Sequence, residues 1–362
     1  MTRLTRPDLD ALPAYVPGRN VADLARELGI AEAIKLASNE VPFGPLPGVP
    51  EAVAAAVAQS HRYPDMGVTA LRDKLATWLD VAPDRIVTGC GSVALAEHLA
   101  KATCLPGDEI LYSWRSFEAY PIVAAGVGAT SVRVPNTAAH GHDLEAMAAA
   151  VTDRTRLVFV CNPNNPTGTS VRKADLDRFL DAVPRTTLVV LDEAYREFVT
   201  DAEVPDGLRT YGDRPNVVVL RTLSKAWGLA GLRVGYLVAQ PGVAGAIRKV
   251  LTPFSTSIVA QAAALAALDA EPEVQRRCAV VIDERTRVTD ELRKLVPDVP
   301  TSQANFVWLP LGDRSAPFAA ACEQRGVIVR PFQGDGVRVT IGTPEENDAF
   351  LAAAELAAKS TV

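Results

Sequence analysis

The sequence predicts an α/β protein with a mostly parallel sheet, followed by a smaller α+β domain. Two observations carry this reading. In the middle of the chain, short runs of continuous apolar residues alternate with segments of helical spacing. That is the pattern of strands covered on both faces by helices. Beyond residue 272 the order changes to a long charged helix, a strand, a helix, two strands and a last Ala-rich helix. With 362 residues, 48% hydrophobic and 22% charged, the chain can bury a large core and form two domains.

Taken in order, a Pro-rich entry at 7–18 is expected to pack as an arm against the small domain or another subunit. Helical spacing follows at 51–60, 68–80 and 92–104. Apolar runs at 109–112, 130–134, 157–161, 187–192 and 216–221 read as strands, separated mostly by helices at 117–126, 143–151 and 172–182. A strand at 233–238 and helices at 242–251 and 257–269 close the large domain. The segment 272–296 reads as one helix and a candidate hinge. Then come strand 305–309, helix 315–326, strands 327–330 and 337–342, and a helix from 344. The expected division is 1–35 as arm and part of the small domain, 36–271 as the large domain, and 272–362 as the small C-terminal domain.

The net charge is −6 and no dense Lys/Arg run occurs, so neither nucleic acid nor an anionic membrane is an expected partner. The first twenty residues hold Arg3, Arg6, Asp8 and Asp10 among prolines, without the apolar stretch of a signal peptide. The longest apolar run, 258–268, is broken by Gln261 and is too short to span a bilayer. Five dispersed cysteines without CxxC spacing suit reduced thiols in the cytoplasm, and no metal site is expected. His140-Gly141-His142 reads as a surface loop.

The chemistry centres on Lys225, in Thr222-Leu223-Ser224-Lys225-Ala226-Trp227-Gly228-Leu229-Ala230-Gly231-Leu232-Arg233. It follows a buried parallel strand, and open α/β sheets bind ligands at such carboxyl ends. An amine for a Schiff base, beside the Ser224 hydroxyl and the Arg233 guanidinium for a phosphate, meets the needs of pyridoxal 5'-phosphate (PLP). Asp192, in Asp192-Glu193-Ala194-Tyr195, ends another apolar strand. It either faces a bound ring and keeps a pyridine nitrogen protonated, or caps a helix. Asn162-Pro163-Asn164-Asn165-Pro166-Thr167-Gly168 forces a turn that fixes the Asn165 amide, able to donate to a phenolate oxygen and a carboxylate. Gly89-Cys90-Gly91-Ser92-Val93 precedes a helix whose free N–H groups suit a phosphate, but it lacks the third glycine of a dinucleotide fingerprint. Phe117 or Tyr120 is placed to stack on a planar cofactor. Arg338, inside the apolar run Gly336-Val337-Arg338-Val339-Thr340-Ile341, needs a partner and suits an α-carboxylate, and Arg330 lies nearby.

On these motifs the chain resembles the fold-type I PLP aminotransferases. It is most similar to the branch holding histidinol-phosphate aminotransferases and the related actinobacterial aromatic amino acid (phenylalanine) aminotransferases. The likeness runs from Leu36-Ala37-Ser38-Asn39-Glu40 and Arg62-Tyr63-Pro64-Asp65 through NNPTG, DEAY, LSKAWGLAGLRVGY and ANFVWL to VRVTIGTPEEN. It implies a large, mostly parallel seven-stranded α/β/α domain and a small α+β domain. By resemblance, Lys225 carries the cofactor as a Schiff base, Asp192 pairs with the pyridine nitrogen, Asn165 and Tyr195 bond the ring oxygen, and Phe117 stacks on the ring. Ser92, Val93, Ser224 and Arg233 would bind the phosphate, with Tyr63 reaching across a homodimer. Arg338 would clamp the substrate α-carboxylate, with Arg330 and Asn39 also at the substrate. Two departures bear on side-chain specificity. Ser92-Val93-Ala94 stands where the family commonly has Ser-Asp-Glu, and the 330–338 loop looks short. Both point to aromatic substrates, with 2-oxoglutarate as the amino acceptor. Histidinol phosphate is the alternative donor. The sequence leaves a lyase or decarboxylase open, and the lack of a basic helix-turn-helix argues against a regulatory PLP-binding module.

Overall fold

The computed structural model describes residues 4–12 and 19–360. Its strands, in chain order, are β1 (Ile34–Lys35), β2 (Ile86–Gly89), β3 (Glu109–Trp114), β4 (Thr130–Pro135), β5 (Thr155–Cys161), β6 (Leu188–Asp192), β7 (Val217–Thr222), β8 (Gly235–Val238), β9 (Phe306–Leu309), β10 (Val327–Ile328), β11 (Arg330–Phe332) and β12 (Gly336–Thr340). Seven form one sheet, in the order β2-β8-β7-β6-β5-β3-β4. The pairs from β7 to β4 are parallel, and β8 runs antiparallel to both β7 and β2. The expected mostly parallel sheet is therefore present, with a single reversed strand.

Continuous apolar strands arise because each face needs its own cover. In β5, Leu157, Phe159 and Cys161 pack with helices Gly91–Thr103, Ala119–Val127 and Pro241–Val250. Val158 and Val160 point to the opposite face, with helices Leu144–Ala149 and Lys173–Ala182. The two-residue period of a strand enforces this division. A three-stranded antiparallel sheet, β11-β12-β9, stands apart from the large one, and the β1–β10 pair ties residues 34–35 to 327–328. A third apolar cluster runs from Trp227 and Tyr195 to Phe306, Val337 and Phe350, so the large sheet's site edge and the small sheet share one core.

The structure adds elements that the apolar pattern misses: β1, β2, most of β11, and helices Val21–Leu28 and Gly207–Tyr211. Strand 233–238 begins later than expected, at Gly235, because Arg233 has φ 57° in the turn before it. Helix 315–326 stops at Glu323, and the stretch 327–330 divides between two sheets. His142 is more than a loop residue, since its Nε2 donates to Cys161 O at 2.7 Å and burial lowers its pKa to about 4. Of the Pro-rich entry, residues 13–18 lie outside the described residues. Pro7–Ala11 forms a 3-10 turn, and Arg6 before it donates to Ala125 O at 2.8 Å, on a helix of the large sheet. Among the described residues, no helix is long and apolar enough to cross a membrane.

One buried ion network underlies the β6–β7 edge. Arg221 Nη2 meets Glu193 Oε2 at 2.7 Å and Asp206 Oδ1 at 2.9 Å, while Glu193 Oε1 accepts Gly207 N at 2.7 Å. Arg221→Leu leaves Glu193 buried without its cation, which costs about 3–5 kcal/mol. Urea unfolding should read that loss, and the double change to Leu at Arg221 and Glu193 should recover much of it. Equal loss in single and double variants would exclude the uncompensated charge as the cause.

Candidate functional site

The carboxyl ends of β2, β3, β5, β6 and β7 lie at one edge of the sheet, and the residues of interest follow them. In β6, Leu188 and Val190 face the helix Gly91–Thr103 side, so Asp192 continues that face while Glu193 turns to Arg221 on the other. Asp192 is 4% exposed. Its Oδ2 accepts from the Tyr120 hydroxyl at 2.8 Å, and its Oδ1 is buried with no hydrogen-bond partner. Burial raises its pKa to about 6, against the opposing Tyr120 hydrogen bond and a weaker pull from the Ala194 backbone N–H. The residues after Asp192 form only a 3-10 turn, Arg196–Phe198, whose N-cap is Tyr195, so Asp192 is not a helix cap. A buried carboxylate oxygen without a donor calls for a ligand N–H. Tyr120 therefore holds Asp192, and Phe117 packs edge-on against Tyr120 at 5.6 Å, with part of its ring exposed.

The anion cradle forms where helix Gly91–Thr103 begins. Gly91 has φ 75°, and a Cβ there would meet Arg233 Nη2 at 2.5 Å. A Cβ on Gly235 would come 2.8 Å from Ser92 N. These glycines let the first helical turn, with Ser92 and Val93, approach the turn that carries Arg233. The helix has no side-chain cap, so its first N–H groups remain available. Arg233 Nη1 donates to Ser224 Oγ at 3.4 Å and to Ala230 O at 3.1 Å.

Three consecutive residues gather the remaining groups. Ala37 O accepts Arg338 Nη2 at 2.6 Å, and Ser38 O accepts Lys225 Nζ at 3.2 Å. Asn39 Nδ2 donates to the Tyr195 hydroxyl at 2.9 Å. Asn39 has φ 56° and is held by Thr340 and by Asn305, whose Nδ2 donates to Asn39 O at 3.1 Å. Arg338 Nη1 also donates to Asn165 Oδ1 at 2.6 Å. Burial lowers the Lys225 pKa to about 8, with the Arg338 and Arg233 cations adding to it. Burial likewise raises the Tyr195 hydroxyl pKa.

The structure thus brings together Lys225, Arg338, Asn39, Tyr195 and Asn165 as one bonded set, and bonds Ser224 to Arg233 beside the helix start that carries Ser92. Arg330 is engaged with Glu118 at 3.0 Å. Tyr63 stands apart, 81% exposed and stacked on Phe254 at 4.5 Å. Sequence reasoning missed the Ala37 and Ser38 carbonyls, Asn305, Glu118 and the Tyr120 hydroxyl. Only Tyr120 carried a signal, as a residue placed to stack on a ring.

These residues fit PLP: an amine of lowered proton affinity, a buried carboxylate oxygen lacking a donor, and a helix start beside a guanidinium and a hydroxyl. The comparisons agree with that chemistry. The model of the family described as aminotransferase class I and II matches residues 31–353. An aromatic amino acid aminotransferase of Streptomyces coelicolor is 57% identical over 350 residues, 97% of this chain and 96% of the relative. One of Rhodococcus jostii is 56% identical over 352 residues, 97% and 95% of the two chains. Among solved structures, a histidinol-phosphate aminotransferase from Sinorhizobium meliloti in complex with pyridoxal-5'-phosphate superposes with a TM-score of 0.87 at 29% identity, covering 100% of this chain and 99% of the other. With the family model spanning nearly the whole chain and two such relatives, this chain belongs to the class I and II aminotransferases.

Proposed function

We propose that the chain uses PLP to move an amino group from an aromatic L-amino acid, phenylalanine or tyrosine, to 2-oxoglutarate, giving the aromatic 2-oxo acid and L-glutamate. The observation that carries the cofactor is the unpartnered Oδ1 of buried Asp192, at the same sheet edge as Lys225. Bound there, PLP supplies an electron-withdrawing ring that stabilises charge at the substrate Cα. Asp192 holds the proton on the ring nitrogen, and Tyr195 and Asn165 bond the ring oxygen. Phe117 covers the ring face. Ser92, Val93, Ser224 and Arg233 hold the phosphate. Lys225, whose proton affinity is lowered, takes the proton from substrate Cα as a general base. Arg338 grips the α-carboxylate, which the amino acid and the 2-oxo acid share.

The aromatic choice is supported by the names of the relatives above and by Phe332, buried beside Arg338 at 5.7 Å. A histidinol-phosphate donor is the second reading, favoured by the likeness to the Sinorhizobium meliloti enzyme. On that reading the donor's phosphate would have to take Arg330 from Glu118, which pairs with it at 3.0 Å. We place the enzyme in the cytoplasm, in keeping with its five free thiols. Its units are taken as residues 1–35, 36–271 and 272–362, a division supported by the large sheet lying within 86–238 and the small one within 306–340. A homodimer is supported by the exposure of Tyr63 at 81% with Met66 at 63% and Phe254 at 39%, an apolar patch suited to a subunit contact.

Three outcomes are expected. Side by side, kcat/KM should be higher for phenylalanine and tyrosine than for histidinol phosphate. The reverse order would replace the donor while leaving the aminotransferase in place. Asp192→Asn should slow the first half-reaction roughly 10²–10³-fold while PLP still binds, measured by single-turnover absorbance. An unchanged rate would remove Asp192 from the ring nitrogen. Mixing Tyr63→Ala with Lys225→Ala should yield hybrid dimers with one intact site and recovered activity. A fully active monomer in sedimentation would exclude the shared site.

A further inference from the structure

The hairpin of β11 and β12 sets Arg330 directly opposite Arg338, so both side chains leave the same face. Phe332, two residues along β11, shares that face. Its ring centroid lies 5.5 Å from the Arg330 guanidinium and 5.7 Å from that of Arg338. Trp308 pairs with Arg338 from the other side and packs edge-on against Phe332 at 5.6 Å. Two like charges facing each other across a pair are unfavourable unless each is met. Arg338 donates to neutral oxygens of Asn165 and Ala37, whereas Arg330 meets a carboxylate, Glu118 Oε2, at 3.0 Å.

Glu118 is an unusual partner. It occupies the N-cap of helix Ala119–Val127, where a carboxylate commonly accepts the helix's own N–H groups, yet it makes no such bond. Its side chain is 30% exposed, against 12% for Arg330. The carboxylate is therefore the more water-accessible partner of the pair. Glu118 also directly follows Phe117, so the ion pair spans from the proposed cofactor ring to the Phe332 wall.

We propose that Glu118 determines how one site takes two kinds of side chain. With an aromatic ring on Phe332 it keeps Arg330 as a neutral pair, and it yields Arg330 to the distal carboxylate of a dicarboxylic 2-oxo acid. This rests on the aromatic and 2-oxoglutarate reading above. The exchange replaces one carboxylate by another on the same guanidinium, so Arg330 stays paired whichever side chain enters, while the displaced Glu118 carries its own charge toward water. Without Glu118, the apolar wall would carry a partly buried cation lacking this carboxylate, which disfavours a ring and favours a carboxylate.

The test uses PLP-loaded full-length enzyme and two unreactive acids, glutarate and 3-phenylpropionate, measured by calorimetry. The acceptors 2-oxoglutarate and phenylpyruvate are compared by kcat/KM. Glu118→Gln should raise affinity for glutarate relative to 3-phenylpropionate by roughly tenfold, with the same shift between the two acceptors. Glu118→Ala must move the ratio in the same direction, which keeps the test decisive if one variant folds poorly. Arg330→Gln should remove the gain in the Glu118→Gln background. A ratio within twofold of wild type in both Glu118 variants overturns the proposal, because a bridge with only a structural role would weaken both acids together. If wild-type enzyme turns over neither phenylalanine nor 2-oxoglutarate, the underlying reading fails and this inference falls with it. If it turns over both and the ratio stays fixed, only the exchange fails.

Discussion

The site depends on the backbone between Ala37 and Asn39. Lys225 follows β7, Arg338 lies within β12 and Tyr195 follows β6, and none of these elements is adjacent to the others in sequence. Successive residues of one short segment bond all three, through two carbonyls and one amide. The segment is itself fixed at its start: Leu36 N donates to Ile328 O and Leu36 O accepts Thr340 N, each at 2.8 Å. Asn39 then turns at φ 56°, a conformation that asparagine tolerates better than most residues. A buried backbone must satisfy its polar groups, and here the partners that satisfy it are the side chains proposed to act at the site.

Strand alternation provides the second constraint. Asp192 and Glu193 are neighbours in sequence and face opposite ways. One lies toward Tyr120 with an oxygen left over, and the other is completed by Arg221 and Gly207. Both are buried, and burial raises both pKa values. Of the two, only Asp192 has an oxygen without a partner, which is why Asp192 is the one proposed to meet a ligand and Glu193 the one that holds the fold together.

This contrast explains how much was legible in the sequence. Asp192, Lys225 and Arg338 stand out because each interrupts or ends an apolar run, and a charge there requires a reason. The β3, β5, β6 and β7 strands were legible because both faces are apolar. β11 was legible only at Arg330, the end of the expected strand 327–330, since Pro331 interrupts the apolar pattern there. It is tolerated because β11 is the edge of its sheet, where a missing N–H breaks no ladder. β2 is four residues long and merges with the glycine turn that follows it. The tie from Arg338 to Ala37 crosses 301 positions, and no local pattern signals a contact set by how two sheets meet. Glu118 was invisible for a related reason. Its position looks like a helix cap, and only the fold brings Arg330 near enough to take the carboxylate.

The electrostatics of the site follow from where its cations sit. The lowered proton affinity of Lys225 has burial as its first cause and the Arg338 and Arg233 charges among the others. Those two guanidiniums are the groups proposed to receive a substrate carboxylate and a phosphate. Each anion that binds would screen its guanidinium and weaken that part of the effect on Lys225, while burial would persist or deepen as water leaves. On the proposed roles, the amine would be readied before ligands arrive, and the charges that ready it would be met as the site fills. Arg330 differs because a protein carboxylate, Glu118, already meets it, and on the proposal above it would turn to a ligand only when that ligand brings a carboxylate of its own.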